Sequence, residues 1–345
     1  MFMVSAAALA AAAAGLQPLP VHVGGRVIAE QDGSLIFGWP GVYLEGRLRG
    51  PTVRVKFEVG DDFLRLVVDG KEVMRFDQPG SVDRTFEGLG PGEHLVRLEK
   101  LTESPVGGSR FKGFYAAAGS IPEKAPARPR EIEFIGDSYT VGYGNTSASR
   151  QCTDREVHDR TDTTKAFGPV LARALDADYR IIAYSGRGVV RNYGGAVPGE
   201  SMVSLYPRAK PDDAKDPARP DPGWKPQVIV INLGTNDFSN KLNAGEKWAS
   251  DSALHADYRK TYAAFVDRLH AAQPQARFVL MGSDLFFADV RQVAAEVNAH
   301  TAGLVTTMKF GGLELTACNW HPSVRDDRTL ADQLAPVVKQ AAGWK

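Results

Sequence analysis

A change in the hydrophobic pattern near residue 130 divides this 345-residue sequence into two parts that must fold differently. Before that point apolar and charged residues alternate with period two, as in Val53–Val59, and turns such as Asp69-Gly70 separate the runs. After it, short apolar runs alternate with segments of helical periodicity. Because this length suits about two domains, the sequence predicts an all-β domain followed by an α/β domain.

The predicted boundaries follow from the same change. We assign residues 20–120 to an N-terminal β-sandwich of jelly-roll type and residues 131–345 to a three-layer α/β/α domain with a parallel sheet. The proline-rich residues 121–130 suit an exposed linker. Residues 1–19 begin with an uncharged apolar run that is too short for a membrane-spanning helix, so we expect a signal peptide or its remnant. The mature protein is then expected to be secreted or periplasmic.

Composition excludes several classes of protein. The 41 basic and 41 acidic residues leave no net charge, which argues against a nucleic-acid-binding protein. Two cysteines are too few for a disulfide scaffold or a zinc site built on CxxC pairs. Residues 154–162 mix His158 with acids, but their charges alternate in sign, so we interpret them as a loop without metal. We expect a monomer with no cofactor, no metal, no nucleic acid and no membrane partner.

Four short polar motifs stand after predicted strands or near the C-terminal helix of the α/β part. In open parallel sheets, ligands bind at the carboxyl ends of the strands. The motifs are Gly136-Asp137-Ser138 after Ile132–Ile135, Ser185-Gly186-Arg187-Gly188 after Tyr179–Tyr184, Gly234-Thr235-Asn236-Asp237 after Val228–Leu233, and Trp320-His321-Pro322.

Each motif offers one part of an acyl-transfer site. A serine at a strand-to-helix turn can be an exposed nucleophile whose own N–H is an oxyanion donor. A glycine N–H and an asparagine amide can be further donors, and histidine is the usual base for serine. Taken alone, each motif also fits a plain turn, a helix cap or a surface histidine. Their joint occurrence in one domain favours the catalytic interpretation.

Together these motifs resemble the SGNH (GDSL-type) hydrolase superfamily, whose catalytic domain is flavodoxin-like. The resemblance implies that Ser138 is the nucleophile and His321 the base. It also implies an oxyanion hole of the Ser138 N–H, the Gly186 N–H and the Asn236 side chain, with Gly188 as an alternative to Gly186. No metal or cofactor is implied.

One position departs from the superfamily pattern. Most members carry an aspartate three residues before the histidine, and this sequence has Cys318 there. We expect a Ser-His dyad in which a main-chain carbonyl accepts the Nδ1–H of His321. Asp326 and Asp327 lie too far along the chain to be natural substitutes.

A narrower resemblance, to carbohydrate esterase family 2, rests on the β-sandwich and on FIGDSYTVGYGN, YSGRGVVRNYG, INLGTNDFS and CNWHPS. It implies deacetylation of plant polysaccharides such as xylan and glucomannan, often at primary 6-O acetyl groups. Trp320, Tyr193 and Phe286 are then candidates for stacking on sugar rings, with Phe287 and Tyr139 as further possibilities; core packing is the alternative interpretation.

The sequence allows more than one state of the two cysteines and more than one function. Cys152 and Cys318 lie on loops that must converge on one site, so either they form a disulfide or they are two buried thiols. The same catalytic residues would serve a lipase or thioesterase, or acyl transfer to another sugar. A non-catalytic carbohydrate-binding protein is the alternative from another class.

Overall fold

The computed structural model describes residues 15–104, 107–125, 127–215 and 221–345. Most of the predicted signal segment, residues 1–14, therefore lies outside the described residues. The chain forms two compact units that divide between residues 127 and 128, with Trp39–Gly41 belonging to the second. Within the segment predicted as a linker, Ile121–Glu123 form a strand of the first unit, and the first strand of the second unit begins at Arg130. The domain limits at 120 and 131 stay a prediction.

The first unit consists of two six-stranded sheets in which every pairing is antiparallel. One sheet has the order β3-β4-β11-β6-β9 with β1 beside β11, and the other has the order β12-β5-β10-β7-β8 with β2 beside β5. The strands are β1 (Gln17–Pro18), β2 (Val21–Gly24), β3 (Ile28–Ala29), β4 (Leu35–Phe37), β5 (Tyr43–Arg49), β6 (Val53–Val59), β7 (Leu64–Val68), β8 (Lys71–Phe76), β9 (Gly80–Phe86), β10 (Glu93–Lys100), β11 (Ser109–Ala116) and β12 (Ile121–Glu123).

The period-two pattern places one face of each central strand in the core. Along β6, burial alternates residue by residue, with Val53, Val55, Phe57 and Val59 inside. The two sheets approach each other closely, because a Cβ added at Gly46 of β5 would lie 3.0 Å from the Phe114 ring of β11. The predicted sandwich is therefore confirmed.

The second unit contains a five-stranded, wholly parallel sheet with the order β14-β13-β15-β16-β17. Helices cover both faces of this sheet, so every residue of β14 and β15 is buried, and β15 is an almost continuous apolar run. The strands are β13 (Arg130–Gly136), β14 (Ala177–Ala183), β15 (Val228–Asn232), β16 (Arg277–Gly282) and β17 (Val305–Lys309).

Helices α3 and α8 pack together and helices α6 and α7 pack together, which confirms the predicted three-layer α/β/α architecture. The helices are α1 (Ser138–Val141), α2 (Asp154–Arg160), α3 (Phe167–Ala174), α4 (Met202–Leu205), α5 (Thr235–Phe238), α6 (Asp251–Ala272), α7 (Phe287–His300) and α8 (Val324–Ala342). Short 3-10 turns cover Thr163–Lys165, Tyr193–Gly195 and Cys318–Trp320.

The interpretation of residues 154–162 as a loop was wrong, since most of them form α2. The cause is a capping box. Glu156 donates its N–H to Thr153 Oγ1 at 3.3 Å, and Thr153 donates its N–H to Glu156 Oε2 at 2.8 Å. Val157 then anchors the helix in the core.

Candidate active site

Ser138 is the first residue of α1 and follows β13 after a single residue, Asp137. Asp137 caps the helix, because Tyr139 donates its N–H to the Asp137 carboxylate at 3.1 Å. A side chain at Gly136 would collide with Thr140, whose Oγ1 lies 2.0 Å from the point where a Cβ would stand. The chain therefore turns sharply from strand to helix at Ser138, at the carboxyl edge of the sheet.

His321 faces Ser138 across this edge. Its Nε2 lies 2.9 Å from Ser138 Oγ, and its Nδ1 lies 3.0 Å from the carbonyl oxygens of both Cys318 and Asn319. Carbonyl oxygens only accept hydrogen bonds, so they assign the proton to Nδ1. Nε2 is then left with its lone pair directed at the serine hydroxyl. This is the geometry that a general base needs towards a nucleophile.

The acidic residues after His321 have other partners. The Asp326 carboxylate accepts N–H groups from Glu314, Leu315 and Ser323 at 2.8–3.1 Å. Asp327 is fully buried and accepts the Asn145 amide at 2.9 Å and a backbone N–H of α3 at 3.1 Å. Neither carboxylate has a hydrogen bond to His321 among the described residues.

Burial lowers the pKa of His321 below its ordinary value of 6.5, and the two carbonyl contacts oppose this shift. The imidazole is therefore neutral at pH 7 and can accept the serine proton. Both hydrogen-bond partners of Nδ1 are uncharged, so they offset only part of the cost of burying the imidazolium.

The loop that carries His321 is held from both sides. Asn319 and Trp320 have positive φ values of 53° and 57°, which non-glycine residues adopt at a cost of about 1 kcal/mol or more each. Cys318 is bonded to Cys152 by a disulfide, with Cα atoms 5.4 Å apart. Asn319 also donates its N–H to the Arg150 carbonyl at 2.7 Å. These bonds retain the loop in a conformation that turns two carbonyls towards His321.

Two residues after α1 contact this loop and were missed by the sequence reasoning. The Tyr143 ring lies 4.3 Å from the His321 ring between centroids, and its hydroxyl accepts the Asn319 amide at 3.3 Å. Gly144 has a φ of 57°, and a Cβ there would lie 2.5 Å from Cys318 Cβ. Both belong to the FIGDSYTVGYGN block, but an irregular segment offers no periodicity from which their contacts could be predicted.

Asn236 lies beside the sheet edge as the second residue of α5, and it is almost fully buried. Its Nδ2 donates to the Arg187 carbonyl at 2.9 Å and to Asp137 Oδ2 at 3.2 Å. The Asp137 contact brings the amide beside the turn that carries Ser138. A neutral amide donor in this position suits a developing oxyanion.

The two glycines of the second motif differ in their surroundings. Gly188 donates its N–H to Asn192 Oδ1 at 3.2 Å, and a Cβ there would lie 2.4 Å from Asp237 Oδ2. Gly186 has a φ of 77° and open space where a Cβ would stand. No hydrogen bond from its N–H to any described residue exists, so Gly186 is the glycine with a donor to offer.

Asp237 anchors the loop that carries Gly186. This fully buried carboxylate accepts three successive backbone N–H groups, from Val189 at 2.9 Å on Oδ2 and from Val190 and Arg191 at 2.9 and 3.0 Å on Oδ1. Burial nevertheless raises the pKa of Asp237 to about 6, because the hydrogen bonds compensate only part of the desolvation. Adjacent residues of α5 thus have two roles: Asn236 is one predicted oxyanion donor, and Asp237 fixes the loop that carries the other, Gly186.

Arg191 ties the same loop to the segment after α5. Its guanidinium pairs with Glu246 at 2.7 Å and donates to the carbonyls of Asn240 and Lys241 at 3.0 and 2.9 Å. The ion pair lowers the pKa of Glu246 to about 2. Residues 186–192 are consequently braced on two sides.

The predicted stacking aromatics separate into two groups. Trp320 and Tyr193 are 59% and 57% exposed and can present a ring face to a ligand. Phe286 was a wrong choice, because it has no exposed surface and packs where a Cβ of Gly234 would stand. Its neighbour Leu285 is 51% exposed instead.

Within the described ranges, no three His, Cys, Asp or Glu side chains are grouped so that they could hold a metal ion. Over the same residues, no helix combines the length and the apolar character needed to cross a membrane.

Sequence models of two families match this chain. Residues 23–126 match the carbohydrate esterase 2 N-terminal domain, and residues 134–342 match the GDSL-like lipase/acylhydrolase family. An acetylxylan esterase / glucomannan deacetylase from Cellvibrio japonicus is 46% identical over 340 residues, which are 96% of this chain and 94% of that protein.

Solved structures agree with these matches. A carbohydrate esterase described as having divergent catalytic and non-catalytic binding functions at its active site is 43% identical, with a TM-score of 0.85 and coverage of 94% of this chain and 98% of that one. A family two carbohydrate esterase from Clostridium thermocellum in complex with cellohexaose is 28% identical, with a TM-score of 0.80 and coverage of 94% and 100%. With both domains and almost its whole length matched, the chain belongs to carbohydrate esterase family 2 and is an ester hydrolase with a GDSL-like (SGNH) catalytic domain.

Proposed function

We propose that this chain is an exported serine esterase that removes O-acetyl groups from neutral plant-type polysaccharides such as xylan and glucomannan, using Ser138 and His321 as a dyad. The observation that carries the proposal is the 2.9 Å contact between Ser138 Oγ and His321 Nε2, with Nδ1 on two main-chain carbonyls. This arrangement leaves the base in the tautomer that activates the serine.

In the first step His321 Nε2 takes the Ser138 hydroxyl proton while Oγ bonds to the acetyl carbonyl carbon. The carbonyl π electrons move to the oxygen and form the tetrahedral oxyanion. Its collapse reforms the C=O bond and breaks the bond to the sugar oxygen, which takes the proton from His321 Nε2. An acetyl-serine ester and a free sugar hydroxyl result.

In the second step water replaces the sugar. His321 Nε2 takes a proton from water as the water oxygen attacks the acetyl carbon of the acetyl-serine. When the second oxyanion collapses, the bond to Ser138 Oγ breaks and His321 returns that proton to Oγ. Acetate leaves, and its proton passes to solvent. During both steps the imidazolium is stabilised by two carbonyl dipoles (Cys318 and Asn319) in place of a carboxylate, which stabilise it less.

Three donors are assigned to the oxyanion: the N–H groups of Ser138 and Gly186 and the side-chain amide of Asn236. The longer hydrogen bond of Asn236, at 3.2 Å to Asp137, is the one that the oxyanion would share. Loss of one such donor costs about 10²–10³ in kcat in a studied hydrolase. Asn236→Ala should show a loss in kcat of that order.

A neutral polysaccharide is supported by three observations. Trp320, next to His321, and Tyr193, which contacts Gly186, are more than half exposed, which suits stacking on sugar rings. The zero net charge provides no general attraction to an ionic polymer. The Cellvibrio japonicus relative is named for acetylxylan and glucomannan.

Export is supported by the apolar N-terminal run and by the bond between Cys152 and Cys318. Structural disulfides form and persist in oxidising compartments and are rare in the cytosol of mesophiles.

The test is acetate release by the Ser138→Ala variant from acetylated glucomannan, acetylated xylan and p-nitrophenyl acetate. We expect kcat to fall at least about 10³-fold with unchanged thermal stability. Ser239→Ala, at an exposed serine after α5, is the matched control and should keep full activity. Turnover retained by Ser138→Ala would contradict the mechanism, and a preference of the wild type for p-nitrophenyl octanoate over acetate would indicate a lipase.

A further inference from the structure

A groove in the catalytic unit runs between residues 189–201 and residues 243–248. Its cavity of about 670 Å³ falls within the range of small-molecule sites, roughly 300–1,000 Å³. An acetyl group occupies only a small part of such a volume. The groove is therefore available for the sugar part of a substrate.

An ion pair and hydrogen bonds tie the walls of the groove together. The ion pair between Arg191 and Glu246 is largely buried, with side-chain exposures of 1% and 12%. Asn243 on one wall donates its side-chain amide to the Gly194 carbonyl on the other at 2.8 Å. Asn192 donates to the Ala196 carbonyl at 2.9 Å within the first wall. A preformed site of this kind loses little conformational entropy when a ligand binds.

The groove is continuous with the proposed oxyanion loop, residues 186–192. Tyr193 donates its N–H to the Gly186 carbonyl at 2.9 Å, so the exposed Tyr193 stands beside the glycine assigned to the oxyanion hole. The first wall continues from Gly195 to Ser201. Gly186, Tyr193 and the first wall thus follow one another along one segment of chain, which a polymer held at Ser138 could follow to the groove.

The lining fits an uncharged sugar better than an acyl chain. The half-buried Trp248 has a fixed orientation, because its Nε1–H donates to Asp257 at 2.9 Å. Lys247 lies 4.6 Å from the centre of the Trp248 ring, and Glu246 also lines the groove. Aromatic surface beside paired opposite charges suits a polyhydroxylated neutral ring. A fatty acyl chain would have to desolvate these charges without replacing their hydrogen bonds.

We propose that this groove is a secondary subsite that binds one or two main-chain sugar residues remote from the acetylated residue. The proposal rests on the proposed function and adds to it a site that discriminates polymeric from small acetyl esters. The groove contributes to the affinity for long chains and leaves the chemistry at Ser138 unchanged.

Two variants test the groove by opposite means. Trp248→Ala removes its aromatic surface, and Ala244→Trp fills it from an exposed alanine of the wall without removing a side-chain contact. Ala295→Trp, at an exposed alanine of α7, is the matched control. We expect both groove variants to raise KM for acetylated glucomannan about 10-fold, with kcat/KM for p-nitrophenyl acetate within twofold of the wild type.

An unchanged KM for the polymer in both variants would overturn the proposal. So would an equal loss on p-nitrophenyl acetate, because the two loops would then only support the active site. Should the wild type release no acetate from polysaccharide, the proposed function fails and the groove is judged by binding alone. In the Ser138→Ala background, Trp248→Ala should weaken cellohexaose about 10-fold in calorimetry and leave cellobiose unchanged; equal affinities for cellohexaose would reject the subsite.

Discussion

Replacing Asp237 by asparagine tests whether this buried carboxylate determines the geometry of the oxyanion loop. The two side chains have nearly the same shape, so the change removes a charge and one acceptor without leaving a cavity. An asparagine can keep its oxygen on the side of the Val190 and Arg191 N–H groups. Its NH2 group then faces the Val189 N–H. Because both groups are hydrogen-bond donors, they cannot bond to each other, and residues 186–189 must shift.

The expected effect on stability is small because two contributions oppose each other. The pKa of Asp237 rises from 3.8 to about 6 on folding, so the native state binds more protons than the unfolded state between these pH values. The ionised carboxylate therefore costs the native state about 3 kcal/mol above pH 6, and this cost disappears as the pH falls towards 4. Asparagine removes that cost, while the unsatisfied Val189 N–H costs about 1–3 kcal/mol.

The expected effect on catalysis is large. Complete loss of one oxyanion donor costs about 10²–10³ in kcat, and a displaced Gly186 N–H should lose part of this, about 10–100-fold. KM for p-nitrophenyl acetate should change less than about threefold, since the oxyanion exists only after attack. Asp289→Asn is the matched control, because Asp289 is also a buried carboxylate but pairs with His255 and Arg259 away from this loop.

The assays are steady-state kinetics on p-nitrophenyl acetate and thermal unfolding at pH 7. Asp289→Asn should lower the melting temperature and keep kcat, whereas Asp237→Asn should lower kcat with a small change in melting temperature. A kcat for Asp237→Asn within twofold of the wild type would refute the reasoning. A parallel loss of kcat in both variants would mean that any buried charge loss impairs the enzyme.

Three further predictions concern the histidine loop. Replacing Cys152 and Cys318 together by serine should reduce the free energy of unfolding by about 2–5 kcal/mol and lower kcat, as measured by denaturant unfolding and acetate release; full activity would contradict a role in placing His321. The acid limb of kcat/KM should have its midpoint at or below pH 6.5, because burial lowers the pKa of His321 and the base must be neutral; a midpoint above pH 7 would be inconsistent with this. Gly144→Ala should destabilise the fold by roughly 2 kcal/mol or more in thermal unfolding, through its positive φ and the contact with Cys318.

Much of the fold followed from periodicity. The predicted runs Ile132–Ile135 and Val228–Leu233 coincide with β13 and β15 to within two residues at either end, because strands buried on both faces are mostly apolar. The alternating charges of residues 154–162 predict solvent on all sides and therefore a loop, but the capping box of Thr153 and Glu156 starts α2 there. The hydrogen bonds of the capping box stabilise α2 although its sequence lacks an apolar stripe.

The placement of Ser138, Asn236 and His321 at one edge could be predicted, since the carboxyl ends of parallel strands converge. The contacts between loops could not. Phe286 and Leu285 are adjacent apolar residues after β16, and only the packing around Gly234 determines that the ring turns inward. The hydrophobic pattern of a sequence predicts which residues are buried only in helices and strands, because their side chains repeat with a regular period. Loops have no such period.

In the proposed dyad, position 318 orients His321 without the aspartate that is usual in the superfamily. The Cys318 side chain is bonded to Cys152, while its main-chain carbonyl accepts the proton of His321 Nδ1. A side-chain carboxylate orients an imidazole by its charge and by one strong hydrogen bond. A carbonyl is part of the backbone, so its direction is only as well defined as the loop itself. Covalent attachment of this loop, next to two residues with left-handed backbone, therefore supports the carbonyl direction on which the proposed dyad depends. Cys318 therefore does two things: its side chain fixes the loop, and its carbonyl orients His321. An aspartate at this position would only orient the histidine.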